Sequence, residues 1–250
     1  MRTVFITLLI AVSTALRASD IDSTLNRAAL LYQQNEFTEA VRLYQTVADS
    51  GWTSAALFYN MGNACFKNHD IKSAILYYER AKRLSPNDED LEWNLQLTRS
   101  LIFDKVEAVP ELFFITWGKN LRDLFSVRAW SWLSISFFIA SLLMALGFLF
   151  LRKLNLKQIA FSVGVVSFLL CIGSFAFGFL QKSNVERIDE ALVFVPSITL
   201  KSSPDDSGNN LFILHEGVKV HITDRVGDWC EVRIADGNKG WMRAKDLEII

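Results

Sequence analysis

Two uncharged apolar stretches, residues 129–151 and 159–180, constrain this chain more than any other feature in it. Each matches the roughly 20 residues that a helix needs to cross a hydrocarbon core of about 30 Å, and neither holds Asp, Glu, Lys or Arg. They predict a two-helix transmembrane hairpin. Composition agrees, with 51% hydrophobic residues, 21% charged residues and a mean hydropathy of +0.22 over 250 residues. The polar side chains inside the spans are serines and the lone Cys171, which encode no proton relay or ion path, so a transporter or channel is disfavoured. Trp117, Trp130 and Trp132 gather near the start of the first span, as tryptophans do at a membrane–water boundary.

The short basic turn at residues 152–158 belongs in the cytoplasm by the positive-inside rule, although Lys119, Arg122, Arg128, Lys182 and Arg187 flank the opposite ends of the spans. Residues 1–18 break that tie. They show the charge, short apolar core and small-residue order of a secretory signal peptide; an uncleaved anchor is the other reading. Export would put both soluble segments on the outer side of the cytoplasmic membrane, facing the periplasm in a Gram-negative cell. Net charge is −1, from 26 Lys+Arg and 27 Asp+Glu, so the chain has no global basic field to hold nucleic acid. Cys65, Cys171 and Cys230 form no CxxC pair, which excludes a thioredoxin-like motif and a structural zinc site.

Residues 20–106 have helical periodicity and repeat themselves at a spacing of 34 residues, pairing Tyr32 with Phe66, Phe37 with Ile71, Ala40 with Ala74 and Tyr44 with Tyr78. The second copy, residues 55–88, resembles a tetratricopeptide repeat through Phe58, Met61, Gly62, Ala74, Tyr78, Ala81 and Pro86. The first copy is degenerate, with Ala28 at the glycine position and Arg27 at a large apolar one. A further helix is expected over residues 88–103. Asp88, Glu89 and Asp90 stand at its start, where the helix dipole favours negative charge. Its stripe of Leu91, Leu95, Thr98 and Ile102, with Trp93 alongside, would cap the end of the array. Residues 110–127 read as an amphipathic helix carrying Phe113, Trp117, Leu121 and Leu124 on one side, lying in the membrane interface or packed on the repeats.

From residue 188 to 250 the period changes to two. Val218, Val220 and Ile222 alternate, then Cys230, Val232 and Ile234, with turns at Gly227-Asp228 and Asp236-Gly237, so about five strands of a small barrel are expected. Ser203-Pro204, Glu216-Gly217, Gly227-Asp228-Trp229, Asp236-Gly237 and Gly240-Trp241 make this segment similar to a bacterial SH3-type domain. The fold class expected is thus a multidomain membrane protein: an all-α tetratricopeptide array, a two-helix transmembrane hairpin and a small all-β SH3-type barrel.

No catalytic residue, metal ligand or cofactor site is assigned. His69, His215 and His221 stand in separate contexts, and no Ser-His-Asp, Cys-His or phosphate-cradling pattern occurs. Cys65 and Cys230 read as small buried apolar residues. On the tetratricopeptide resemblance, the inner face of the array maps to Tyr59, Asn60, Asn63, Phe66 and Lys67, with Asn94 on the capping helix. Asn60 and Asn94 would bind an extended peptide backbone; packing explains Phe66 equally well. Leu25, Ala29 and Asp90 occupy positions where carboxylate-clamping relatives carry basic residues, so clamping is not expected. In the SH3-type segment, Trp229 and Trp241 offer a shelf for peptide or cell-wall glycan, with core packing equally expected for one of them.

The whole order, together with the stretches DLEWNLQLTRSLIFDKVE and KSSPDDSGNNLFILHEGVKV, resembles the BatE proteins of the Bacteroides aerotolerance (Bat) operon. That resemblance implies von Willebrand factor type A membrane proteins as partners, indirectly a MoxR-type AAA+ ATPase, and a role in aerotolerance or oxidative stress resistance. The expected function is a non-enzymatic, membrane-anchored interaction scaffold. The alternative is an envelope sensor whose SH3-type domain binds peptide or cell wall, which the short inner turn disfavours.

Overall fold

A computed structural model describes residues 20–106, 109 and 112–250, and the expected signal peptide lies outside them. The chain is helical over residues 20–33 (α1), then in α2 (Phe37–Asp49), α3 (Ala55–Lys67), α4 (Ile71–Leu84) and α5 (Glu89–Arg99). The 34-residue period is visible in the backbone. Asn35 and His69 occupy the same place in the two helix–turn–helix copies and take φ of 65° and 61°, the left-handed conformation that ends one helix and turns into the next. Ser54, Asp70 and Asp88 each precede a helix and accept a bond from a first-turn amide, of Leu57, Ser73 and Leu91 respectively. Asp88 is therefore a cap.

Small residues let the paired helices approach. Ala28, Ala40, Tyr44, Val47, Leu57 and Met61 form one core cluster, and Ala74, Ile75, Tyr78, Ala81, Leu91 and Leu95 belong to the next. A Cβ on Gly62 would stand 2.6 Å from the Tyr78 ring, so only glycine admits that ring at this crossing. The capping helix departs from expectation in two ways. It ends at Arg99, after which Ile102 leaves the helix to pack elsewhere, and Trp93 does not lie alongside the buried stripe but stands 69% exposed.

The C-terminal segment forms a seven-stranded antiparallel sheet: β1 (Glu190–Val193), β2 (Ser197–Lys201), β3 (Asn210–His215), β4 (Lys219–Val226), β5 (Trp229–Arg233), β6 (Lys239–Arg243) and β7 (Leu247–Ile249), in the order β3-β2-β6-β5-β4-β1-β7. This exceeds the five or so strands expected. β1 and β7 are short, and they pair with each other rather than through a tight hairpin that sequence could announce. Val220, Cys230, Val232 and Met242 point inward, as the period of two requires.

The repeats and the sheet share one compact unit. Leu192 and Ile250 sit in the same core cluster as α4 and α5, and Ile102 packs against both that cluster and the sheet's own. Gly217, with φ of 86°, passes so close that a Cβ there would stand 2.8 Å from Ile102. Charges surround this apolar junction. Lys72 reaches Glu216 at 2.9 Å and the Phe194 carbonyl at 3.2 Å, while Arg80 reaches Glu248 at 3.0 Å. Asp104 accepts from the His215 amide at 2.7 Å and pairs with its ring at 2.9 Å. The two soluble segments, whose contact the sequence leaves open, thus share one core and form one body, called the head below.

The second unit holds α6 (Phe113–Asp123), α7 (Val127–Phe150) and α8 (Leu154–Glu186). Both α7 and α8 are long and apolar enough to cross a membrane, with mean hydropathy of 2.3 in their most apolar windows. At 1.5 Å per residue α8 runs about 50 Å, well past a hydrocarbon core of about 30 Å. The connection is shorter than the expected 152–158 loop, because α8 starts at Leu154. Ala160, Ser167, Ser174 and Gln181 recur every seventh residue and are the buried residues of α8. Gly164 and Gly178 lie four residues beyond Ala160 and Ser174, where a Cβ would meet Met144 and Trp130 Cβ at 3.2 Å. This seven-residue repeat, small at its first three positions and ending on the larger Gln181, fits a left-handed helix pair held by close backbone approach. Ser134 Oγ lies 3.6 Å from Cys171 Sγ, so a Ser134→Cys variant is expected to form a disulfide with Cys171 on oxidation. Gly164→Leu or Gly178→Leu should abolish that cross-link. Gly173→Leu should leave it intact, since a Cβ at Gly173 meets nothing within 4 Å.

Candidate functional site

The inner-face residues divide sharply. Asn60 and Lys67 are exposed on α3. Asn63 and Asn94 are engaged inside the array: the Tyr78 hydroxyl donates to Asn63 Oδ1 at 2.7 Å, and Asn94 Nδ2 donates to the Tyr59 hydroxyl at 2.8 Å. Tyr59 and Tyr78 also stack obliquely, their ring centres 6.0 Å apart. Burial drives the Tyr78 phenol well above its ordinary range, so it stays a protonated donor. Phe66 packs against the core cluster of α4 and α5. One apolar surface escaped the sequence reading: Trp93, Leu97 and Leu101 recur every fourth residue and are all exposed, forming an outward stripe at the end of the array.

On the sheet, register decides where the tryptophans go. Trp229 pairs with Arg243 and Glu231 with Trp241, so both indoles project from the face opposite the core and are diagonal neighbours. The Arg243 guanidinium lies 4.9 Å from the Trp229 ring centre, and one of its terminal nitrogens donates to both Asp206 carboxylate oxygens at 2.8 and 2.7 Å, which fixes one face of that shelf. Lys201 stands across from Trp241. A cleft of about 520 Å³ opens beside Trp229, between Ile198, Lys201, Asp206 and Arg243.

At the junction of repeats and sheet, Glu79 is 3% exposed and is held by Lys219 at 3.1 Å and by Arg99. Burial pushes its carboxyl up, but the two cations outweigh that and hold it below the ordinary carboxylate range. Lys219 is pushed down by burial and raised by Glu79 and Glu190, with the net direction upward. Sequence gave no warning of this network, because its members come from α4, α5 and β4. The same holds for the pairing of His215 with Asp104 and of His221 with Glu190 at 3.4 Å. Among the described residues, no group of three or more His, Cys, Asp or Glu is placed to hold a metal. Burial pushes the Cys65 thiol up to about 12 and raises Cys230, which suits packing rather than reactivity.

Comparison with known families gives two matches. A tetratricopeptide repeat model covers residues 55–88 and a bacterial SH3 domain model covers residues 196–248, which leaves β1 outside it. No curated protein matches the chain. Both models describe modules that typically mediate interactions without catalysis, and no enzyme family is indicated.

Proposed function

We propose that this chain is a membrane-anchored, non-enzymatic scaffold whose α7–α8 hairpin spans the cytoplasmic membrane and whose head recruits protein partners on the outer side. The observation that carries this reading is the fusion of two interaction modules through a common core, with the apolar hairpin inserted between them in the sequence. A scaffold needs binding surfaces at fixed separation, and a shared core supplies that without a catalytic group. The likeness to BatE proteins supports von Willebrand factor type A membrane proteins as partners, with a MoxR-type ATPase acting through them in aerotolerance.

Cross-linked affinity capture from detergent-solubilised membranes tests the partner set. The parent chain is expected to enrich von Willebrand type A proteins, and Asn60→Ala/Lys67→Ala, which removes exposed inner-face groups without touching the Tyr59 and Tyr78 bonds, is expected to lower that enrichment roughly fivefold or more. Capture of cell-wall material through Trp241 with no enriched protein would replace the scaffold by a wall-binding receptor. Protease treatment of intact spheroplasts tests the orientation: digestion of the head is expected, and protection would reverse the topology.

A further inference from the structure

Inside the head, a cleft of about 520 Å³ lies where the end of α5, the linker that follows it and strands β4 and β5 come together. The β4–β5 pairing ends at His221 and Arg233. Beyond that pair the strands part: β4 runs back to Lys219 alongside β1, while the Ala235 carbonyl accepts from the Val109 amide of the linker. Ile102 and Val106, from the same linker, pack against the sheet's core and line the cleft together with Val218, Val220 and Ile234. Much of its wall is therefore apolar.

Charge around the cleft is one-sided. The described lining carries four permanent cations, Arg99, Lys105, Lys219 and Arg233, and one carboxylate, Asp104. Arg99 and Lys219 are held by Glu79, Lys219 also by Glu190, and Asp104 is taken by His215. Lys105 and Arg233 differ: among the described residues, the side chain of neither makes a hydrogen bond or an ion pair. Arg233 is also placed at an electrostatic cost. Register sets it directly opposite Lys239 on β6 and His221 on β4, and like charges facing each other across strands are destabilising. Lys239 pairs with Glu231 at 3.3 Å and His221 with Glu190 at 3.4 Å, so within that row only Arg233 lacks a counter-ion among the described residues.

We infer that this cleft binds a small organic anion with an apolar body, its charged group taken by Arg233 and Lys105 and its body lying against Ile102, Val106 and Ile234. A bare inorganic anion would satisfy the two cations but leave the apolar wall uncovered. A neutral apolar ligand would leave Arg233 without a counter-ion. The lining comes from the last helix of the repeats, the linker and the sheet, so the occupant touches both modules.

The test titrates the intact chain, in a neutral detergent, with 2-naphthoate by calorimetry, with protein-free micelles as the blank. One-to-one binding is expected, at least tenfold tighter than that of the neutral 2-naphthamide or of inorganic phosphate. Arg233→Gln and Lys105→Gln should each weaken it about fivefold. Lys245→Gln, at an exposed lysine that does not line the cleft, should leave it unchanged. Without ligand, Arg233→Gln should melt no lower than the parent, because it relieves the like-charge row. A lower melting temperature would make Arg233 a structural contact and overturn the assignment. Equal affinity for 2-naphthamide, or an equal loss in Lys245→Gln, would overturn it in favour of apolar partition or general surface charge. Equally tight inorganic phosphate would overturn the apolar body, and no binding of 2-naphthoate at millimolar concentration would overturn the site.

Discussion

Replacing Glu79 with alanine is expected to destabilise the head by about 3 kcal/mol, the range seen when one member of a buried charge cluster is removed. The carboxylate is nearly inaccessible, and Arg99 and Lys219 converge on it from α5 and β4, so its loss leaves two cations facing each other at the junction. The same group makes stability depend on pH. Its folded pKa lies below the ordinary 4.5, so its contribution is fully present above that value and is lost as pH falls through the folded value. Lys219 acts in the opposite sense: its pKa is raised above 10.5, so its contribution is present below that and is lost as pH rises through the folded value. Urea unfolding of the intact chain in detergent should show a steeper acid loss for the parent than for Glu79→Ala. Equal acid slopes would mean that the junction is not held by this carboxylate.

Gly62→Val should be worse, at roughly 3–4 kcal/mol, because it combines overpacking with the loss of a buried hydrogen bond. The added carbons must occupy space taken by the Tyr78 ring, 2.6 Å from where even an alanine Cβ would be. Moving that ring also draws its hydroxyl from Asn63 and its edge from Tyr59. Circular dichroism at 222 nm against temperature would report the effect as a loss of the first cooperative helical transition. An unchanged profile would show that the α3–α4 crossing is looser than these distances require.

What could be read from sequence follows from what each residue does locally. The 34-residue period, the apolar spans and the alternation around Val220 and Val232 are properties of one element at a time, and each has a clear signal. Partnership between distant elements does not. Lys72, Glu79 and Arg80 look like the solvated side of an amphipathic helix, yet each reaches a strand or an inter-strand turn of the C-terminal segment. Ile102 fits the capping stripe in spacing, but the chain leaves the helix at Arg99 and sends Ile102 into the junction instead. At the candidate inner face, residue type was informative and availability was not: Asn63 and Asn94 have the right chemistry for a peptide backbone, and two tyrosine hydroxyls already occupy it. The tryptophan shelf was identifiable as a pair of residues, whereas their common face depends on the register of β5 against β6.

The repeats and the sheet act as one body. Native-state hydrogen exchange of the intact chain in detergent, followed across increasing sub-denaturing urea, tests it directly. Amides of α4 and α5 should converge on the same opening free energy and urea dependence as those of β1 and β7, because Leu192, Ile250 and the Glu79 cluster belong to both. Repeat amides that open at low urea while β1 and β7 stay protected would contradict the account and leave two tethered modules in place of a single head.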